Sequence, residues 1–259
     1  MSVRTRYSRF FLFFPRSESA RALSGISTIF LCLALLGALV SCRQVFTTSL
    51  GSWAARDPKS LIPTVSSANV ADLVSLSENN PALALEVLKG IKNAMASAKG
   101  AEKASLQNAA VTAAANASGV GSAILSNAGN INDTLSSGGD VVGVVSTAIA
   151  GLGSLSDTSA LLKDTLPSPT TDKAGYDEYV KSASAESLAN AAVVLLAAQA
   201  QKSGGVETYI NSTFDPAVPT NAEETLAVAL AASAADKYAT EGGTGPLADI
   251  LGSLNLTTP

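Results

Sequence analysis

The apolar residues of this chain are mostly alanine, joined by leucine and valine, and this feature limits its fold more than any other. Of 259 residues, 47% are hydrophobic but only 5% are aromatic. Alanine and leucine lose little freedom on entering a helix, whereas strands are enriched in aromatic and β-branched residues. We therefore expect an all-α fold, a multi-helix bundle of about eight helices.

Two consecutive segments carry clear helix signals. In residues 78–100, Asn80 can cap the N-terminus, Pro81 suits the first helical position, and Gly100 is expected to end the helix. The apolar side chains recur at helical spacing, which predicts a buried stripe of Leu83, Leu85, Val87, Leu88, Ile91 and Met95. The alanine-rich segment that follows is expected to form a helix of about four turns ending at Gly119.

Two later segments predict the centre of the bundle. Residues 184–203 are expected to form a helix whose middle, NAAVVLLAAQA, is apolar nearly all round, which is typical of a central helix. Residues 220–243 open with Thr220 and Glu223 at capping-box spacing and close with two glycines. Residues 188–205 match the last part of that segment at an offset of 38 residues. This offset favours helical-hairpin repeats, close in length to tetratricopeptide units, whose fuller signature residues are absent.

The segment 119–157 is rich in glycine and poor in charge. Gly139, Gly143, Thr147 and Gly151 recur at every fourth residue, which would place small side chains along one face of a helix. Such a face would serve self-association or membrane contact, or it would lie in a tightly packed, buried helix. We favour the buried helix, because the apolar run here is too short to span a bilayer.

An uncharged apolar run lies near the front of the chain, behind a cluster of arginines. Between Arg21 and Arg43 there are 21 residues without a charge. Positive charge before an apolar run is the pattern that export machinery reads. An uncleaved transmembrane anchor, an ordinary secretory signal and a lipoprotein signal all share this pattern.

Four residues at the end of the run distinguish these alternatives: Leu39, Val40, Ser41 and Cys42. They resemble the lipobox of bacterial lipoprotein precursors, in which an aliphatic residue, a tolerant position and a small residue precede a cysteine. The resemblance implies that diacylglycerol is attached to the thiol of Cys42, that cleavage follows between Ser41 and Cys42, and that the freed amine is often acylated. It covers the first 42 residues and implies nothing about the rest.

These features divide the chain into three parts. Residues 1–41 are predicted to be a signal peptide, and residues 42–66 a lipidated N-terminus and flexible tether that contains Trp53. Residues 67–259 are predicted to form the helical domain. The polar stretch 166–175 marks a loop at which two halves of this domain would meet.

The charge of the mature chain argues against one class of partner. Twelve of the 17 basic residues and 20 of the 21 acidic residues follow residue 41, so the mature portion carries a net charge of −8. An acidic domain without a basic cluster lacks the electrostatic footprint of a nucleic-acid-binding protein.

The residue inventory also excludes the commonest kinds of catalytic site. The chain has no histidine, and Cys42 is its only cysteine after the predicted cleavage site. Nucleophile–histidine arrangements are therefore absent, and zinc, copper and iron sites lose a usual ligand. Two acidic pairs remain, Asp177-Glu178 and Glu223-Glu224, and we expect both in the first turns of helices, where carboxylates meet the helix dipole. We predict no catalytic, metal-binding or cofactor-binding residues.

The sequence thus predicts a lipid-anchored protein of the bacterial cell envelope, with its domain outside the cytoplasm. The function expected of it is that of a non-catalytic scaffold or adaptor for another, unknown envelope protein. The alternative is a carrier of an apolar small molecule, bound in a cavity lined by residues 139–153 and 188–198. An enzyme that uses carboxylates alone is a further, weaker alternative.

Overall fold

The described part of the chain is built from helices alone. The computed structural model describes residues 62–241 apart from 138, 140 and 213, and within them it contains ten helices and no strand. The helices are α1 (Val70–Leu76), α2 (Pro81–Met95), α3 (Gly100–Ser118), α4 (Val120–Ser137), α5 (Val141–Ala150), α6 (Leu155–Thr165), α7 (Lys173–Ser182), α8 (Ala185–Lys202), α9 (Val206–Ser212) and α10 (Ala222–Glu241). This confirms the predicted all-α bundle. None of these described helices combines the length and the apolar character needed to cross a membrane.

Helix α2 begins where the sequence predicts but ends earlier. The side chain of Asn80 accepts a hydrogen bond from the backbone N–H of Leu83, and Pro81 occupies the first turn. The helix ends at Met95, because the N–H groups of the next two residues bond to the carbonyl three residues back instead of four. Ala96 N–H donates to Asn93 O, and Ser97 N–H donates to Ala94 O. The prediction that Gly100 ends this helix is wrong, since Gly100 begins α3.

Helix α3 ends as predicted. Gly119 follows its last residue with a φ of 72°, in the left-handed region, and its N–H donates to Ala115 O. This conformation is easily adopted by glycine and satisfies one of the carbonyls left open at a helix end.

Helix α8 lies at the centre of the bundle, as its apolar pattern predicts. Twelve of its 18 residues are buried. It packs against α3, α4, α5, α6, α9 and α10. It ends at the glycine pair Gly204-Gly205, where Gly205 N–H donates to Ala200 O and both glycines have a positive φ.

The contact between α8 and α10 is the most extensive between any two described helices. Lys202, at the end of α8, contacts Glu223 at the start of α10, while Lys237, late in α10, donates to Ala183 O just before α8 begins. The two helices therefore run antiparallel. The two segments that match at the 38-residue offset therefore pack against each other in opposite directions. Equivalent helices of stacked hairpin repeats run in the same direction, so these two segments are not related in that way.

The four small residues predicted to share one helix face, Gly139, Gly143, Thr147 and Gly151, do not lie on one helix. Helix α4 ends at Ser137, and Gly139 N–H donates to Thr134 O at 2.8 Å, which closes the helix with a turn. Gly139 therefore precedes α5 and Gly151 follows it. Only Gly143 and Thr147 share a helix, and Thr147 is exposed.

The loop between α6 and α7 falls within the polar stretch predicted at 166–175. Helices from both sides of this loop contribute side chains to one hydrophobic cluster, among them Leu162 of α6 and Leu188 and Leu195 of α8. The chain between residues 166 and 172 thus connects two helices of a shared core.

Residues 62–66, here called the strap, pack against α2 before the first helix begins. Val65 is buried and Ile62 is partly buried against the core. Asn69 holds the end of the strap, because its Oδ1 accepts from Ser66 N–H and its Nδ2 donates to Thr64 O. The last five residues of the predicted tether therefore belong to the packed domain.

The strap lies unusually close to the backbone of α2. Gly90 sits inside that helix, and a Cβ at this position would come within 2.4 Å of Val65 Cγ2. A glycine inside a helix costs about 1 kcal/mol relative to alanine, so the close contact offers a reason for its presence.

We expect Gly90→Ala to destabilise the protein by about 1–3 kcal/mol, because the added methyl group overpacks the contact with Val65 and outweighs the gain in helix propensity. Gly129→Ala in α4 is the matched control, since a Cβ there meets nothing within 4 Å. We expect this control to be neutral or stabilising. Urea denaturation of both variants measures the two free energies of unfolding, and a Gly90→Ala variant as stable as the control would contradict the proposed contact.

Candidate functional site

The site residues predicted from the sequence lie outside the described part of the chain. Leu39, Val40, Ser41 and Cys42 all precede residue 62, where the description begins. The described residues bring together two other features that bear on function, a polar cluster at the start of α10 and a groove beside the strap.

Polar side chains from three helices and a loop meet at the N-terminus of α10. Here called the α10 cluster, they are Gln199, Lys202, Tyr209, Thr220, Asn221, Glu223 and Glu224. The cluster joins the end of α8, the short helix α9 and the loop that leads into α10.

The capping box of α10 is displaced by one residue from the predicted one. Asn221 Oδ1 accepts from Glu224 N–H at 2.9 Å, and Glu224 Oε2 accepts from Thr220 N–H at 2.6 Å. The predicted pairing of Thr220 with Glu223 is therefore wrong. Glu223 contacts Lys202 instead, with Nζ and Oε2 2.6 Å apart.

Glu224 is a buried carboxylate whose oxygens accept several hydrogen bonds. The residue is 1% exposed. Tyr209 donates its hydroxyl to Oε1 at 2.5 Å, and both the N–H and the hydroxyl of Thr220 donate to Oε2 at 2.6 Å. Burial alone would raise the pKa of Glu224, but the hydrogen bonds from Thr220 and Tyr209 outweigh it and hold the pKa below its ordinary value. The helix N-terminus also favours the ionised form.

Tyr209 is held in its protonated form beside this carboxylate. Its pKa is raised by burial, and further by the hydrogen bond to Glu224 and by the charge of Glu224. The ring also contacts Phe214, with centroids 5.2 Å apart. Tyr209 is therefore a steady donor that attaches α9 to the start of α10.

Glu223 connects the start of α10 to the end of α8. Both Lys202 Nζ and Gln199 Nε2 donate to its Oε2, and Gln199 Oε1 accepts from Asn221 Nδ2 at 3.1 Å. The side chain of Glu223 is 13% exposed and that of Lys202 is 44% exposed. This ion pair thus lies at the edge of the cluster, where water weakens it.

The α10 cluster has the chemistry of a structural joint. Glu224 has no open access to solvent, and its oxygens already accept donors of the chain itself. A general acid or base must instead lie within hydrogen-bonding reach of a substrate. Across the described residues, no group of three or more His, Cys, Asp or Glu side chains could hold a metal ion.

The two predicted acidic pairs have different positions. Glu223 and Glu224 lie in the first turn of α10, as predicted. Asp177 and Glu178 lie in the second turn of α7, because that helix begins four residues earlier, at Lys173. The prediction for this pair is wrong, and Asp177 pairs with Lys173 across one turn of an exposed helix face.

An open groove of about 740 Å³ runs beside the strap, here called the strap groove. Its opposite wall is formed by residues of α2 and by Glu102 of α3. Glu86 and Lys89 form an ion pair on this wall, with Nζ and Oε1 2.6 Å apart. This groove was not predicted from the sequence, although the isolated Gly90 inside a helical pattern was a signal of close packing.

We expect Glu224 to make stability depend on pH. Because its pKa is lower in the folded protein, its contribution is present above the unfolded value of 4.5 and is lost as the pH falls through the folded value. At pH 7, Glu224→Gln should cost about 1.5–3 kcal/mol, since the amide replaces an ionised acceptor. This cost should shrink at pH 3.5.

Urea denaturation at both pH values checks this prediction. Glu207→Gln is the matched control, because Glu207 is exposed on α9 and its carboxylate accepts no hydrogen bond within the described residues. A cost of Glu224→Gln that is equal at the two pH values would show that ionisation of Glu224 does not stabilise the cluster.

Comparisons with known proteins leave this chain without an assigned family. No family model matches it, and neither a curated protein nor a solved structure matches it.

Proposed function

We propose that this protein is a lipid-anchored, non-catalytic helical scaffold of the bacterial cell envelope. In this proposal the lipid on Cys42 holds the chain at a membrane, and the helical domain holds another envelope protein nearby. The anchoring part is supported by the four lipobox residues at the end of the apolar run, Leu39 to Cys42.

The position of the strap groove carries the scaffold part of the proposal. The groove is open and lies at the surface, beside the point where the chain enters the described domain. A second open groove of about 530 Å³ lies between α1 and α3. Grooves between helices are surfaces on which segments of other proteins dock.

The carrier alternative receives less support. It requires residues 139–153 and 188–198 to line a ligand cavity. Within 188–198, the side chains of Leu188, Val194 and Leu195 are part of the hydrophobic cluster. Their packing in the core favours a structural role for α8.

The roles of the charged groups support a non-catalytic function. Glu224 caps a helix, and Lys92 and Asp164 join α2 to α6 through an ion pair, with Nζ and Oδ2 2.6 Å apart. Hydrogen bonds to Lys163 and Lys92 hold the pKa of Asp164 below its ordinary value. These side chains are engaged with other parts of the fold, which leaves them poorly placed to act on a substrate.

The anchoring proposal predicts that Cys42→Ala abolishes lipid attachment. The wild-type chain should partition with membranes and have the mass of residues 42–259 plus the lipid, because the thiol is the site of alkylation. Cys32→Ala is the matched control, since Cys32 lies within the predicted signal peptide and should not affect the mature product. Fractionation and intact-mass measurement of both variants test this, and a Cys42→Ala chain that remains fully with membranes would contradict the proposal.

The scaffold proposal predicts that the domain carries no small-molecule ligand. Native mass spectrometry of the chain, recovered from the envelope of its own producing cell, should give the mass of the lipidated polypeptide alone or in complex with another protein. Additional small mass that survives gentle ionisation and leaves on activation would support the carrier and contradict the scaffold.

A further inference from the structure

We propose that the strap is a releasable latch, which detaches from α2 and becomes part of the tether while the helices stay folded. Its role on a tether rests on the proposed anchoring at Cys42, whereas its opening depends on the described domain alone. The strap differs from the helices beside it in how few of its side chains are buried and in where its hydrogen bonds lie.

The strap is attached to α2 by side-chain packing alone. Val65, at 7% exposed, is its only buried residue, and Pro63 and Thr64 are exposed. No residue of the strap forms a hydrogen bond with α2. A contact of this size is a small part of the stability of a domain, so it can open separately from the rest.

The strap is closed by the residue that precedes α1. Asn69 is the N-cap residue of α1, yet its side chain makes no capping bond to that helix. Its Oδ1 accepts from the N–H and the hydroxyl of Ser66, and its Nδ2 donates to Thr64 O. An N-cap asparagine ordinarily accepts from the first turn of its helix. The side chain of Asn69 therefore closes the strap instead of capping α1.

The hinge of the latch lies at residues 67–69. These residues form a turn. Beyond them, α1 buries three side chains, Val70, Leu73 and Val74. Because α1 has more buried apolar contacts than the strap, it is harder to detach, and we expect the opening to stop at this turn.

An opening at this place has a mechanical consequence for an anchored protein. The tether joins the described domain at the strap, so a pull from Cys42 acts on Val65 before it acts on any described helix. Release of the strap would relieve that load without unfolding the bundle, and it would uncover the backbone of α2 at Gly90.

Thiol labelling of the mature protein measures this opening. Lipid attachment blocks the thiol of Cys42 and cleavage removes Cys32, so Val65→Cys provides a single free thiol. Val194→Cys, at a fully buried position of α8, is the matched control, and Val111→Cys of α3 replaces it if that variant does not fold.

We expect Val65→Cys to be labelled at least about 100-fold faster than the control, because the strap opens without the bundle. Low concentrations of urea should hardly change this rate, since opening of the strap exposes little surface. The labelling rate of the control should rise steeply with urea, because its thiol is reached only when the bundle unfolds.

A second pair of variants tests the role of Asn69. In the Val65→Cys background, Asn69→Ala removes the bonds that close the strap and should raise the labelling rate about three- to tenfold. Asn93→Ala is the matched control and should leave the rate unchanged, because Asn93 is exposed on α2 and its side chain makes no hydrogen bond within the described residues. Unfolding curves of each variant confirm that the domain remains folded.

Three results would overturn the inference. Equal rates and equal urea dependence of Val65→Cys and the control would show that the strap opens only when the bundle unfolds. Labelling of Val65→Cys as fast as that of Thr64→Cys, at the exposed neighbouring position, would show that the strap is not closed. Equal effects of Asn69→Ala and Asn93→Ala would show that Asn69 does not hold it.

The same experiment separates this inference from the proposed anchoring. Peptide mapping identifies the labelled residue, and label found on Cys42 would show that its thiol carries no lipid. Such a result would contradict the anchoring, while the rates measured at Val65→Cys would still decide whether the strap opens.

Discussion

The antiparallel packing of α8 on α10 is the contact on which the rest of the bundle depends. Both helices bury alanines, among them Ala189 and Ala197 on α8 and Ala227 and Ala231 on α10. Small side chains let two helix axes approach closely, and the leucines of the same helices then fill the space toward their neighbours. Polar contacts at both ends, Lys202 with Glu223 and Lys237 with Ala183 O, fix how the two helices are aligned.

Elements with a single local signal were predictable from the sequence, and elements with competing signals were not. Asn80 and Pro81 leave one place for α2 to begin, and Gly119 one place for α3 to end. Gly100 was an equally plausible helix end, but α2 ends earlier, where the N–H of Ala96 bonds to the carbonyl three residues back. Periodicity alone could not show that the glycine-rich segment is divided by a turn at Gly139.

The same distinction explains what the sequence revealed of the sites. Two capping boxes were compatible with the sequence, because two adjacent capping residues precede two adjacent acids. In the fold, Lys202 of a neighbouring helix forms an ion pair with Glu223, and Glu224 belongs to the cap. Tyr209 and Gln199 joined this cluster through packing of α8 and α9, which no local pattern encodes. Gly90 was visible as a glycine in a helix, but its neighbour Val65 is 25 residues away in the chain.

The contact of Val65 with Gly90 also sets where along the chain the folded domain begins. Because the strap is packed, the stretch of chain between Cys42 and the folded domain ends no later than Ile62, the first described residue that packs. Twenty residues from 43 to 62 span at most about 70 Å when fully extended. Under the proposed anchoring at Cys42, this covalent length is an upper limit on the distance between the anchor and the strap, and a mutation that releases the strap from α2 would raise that limit.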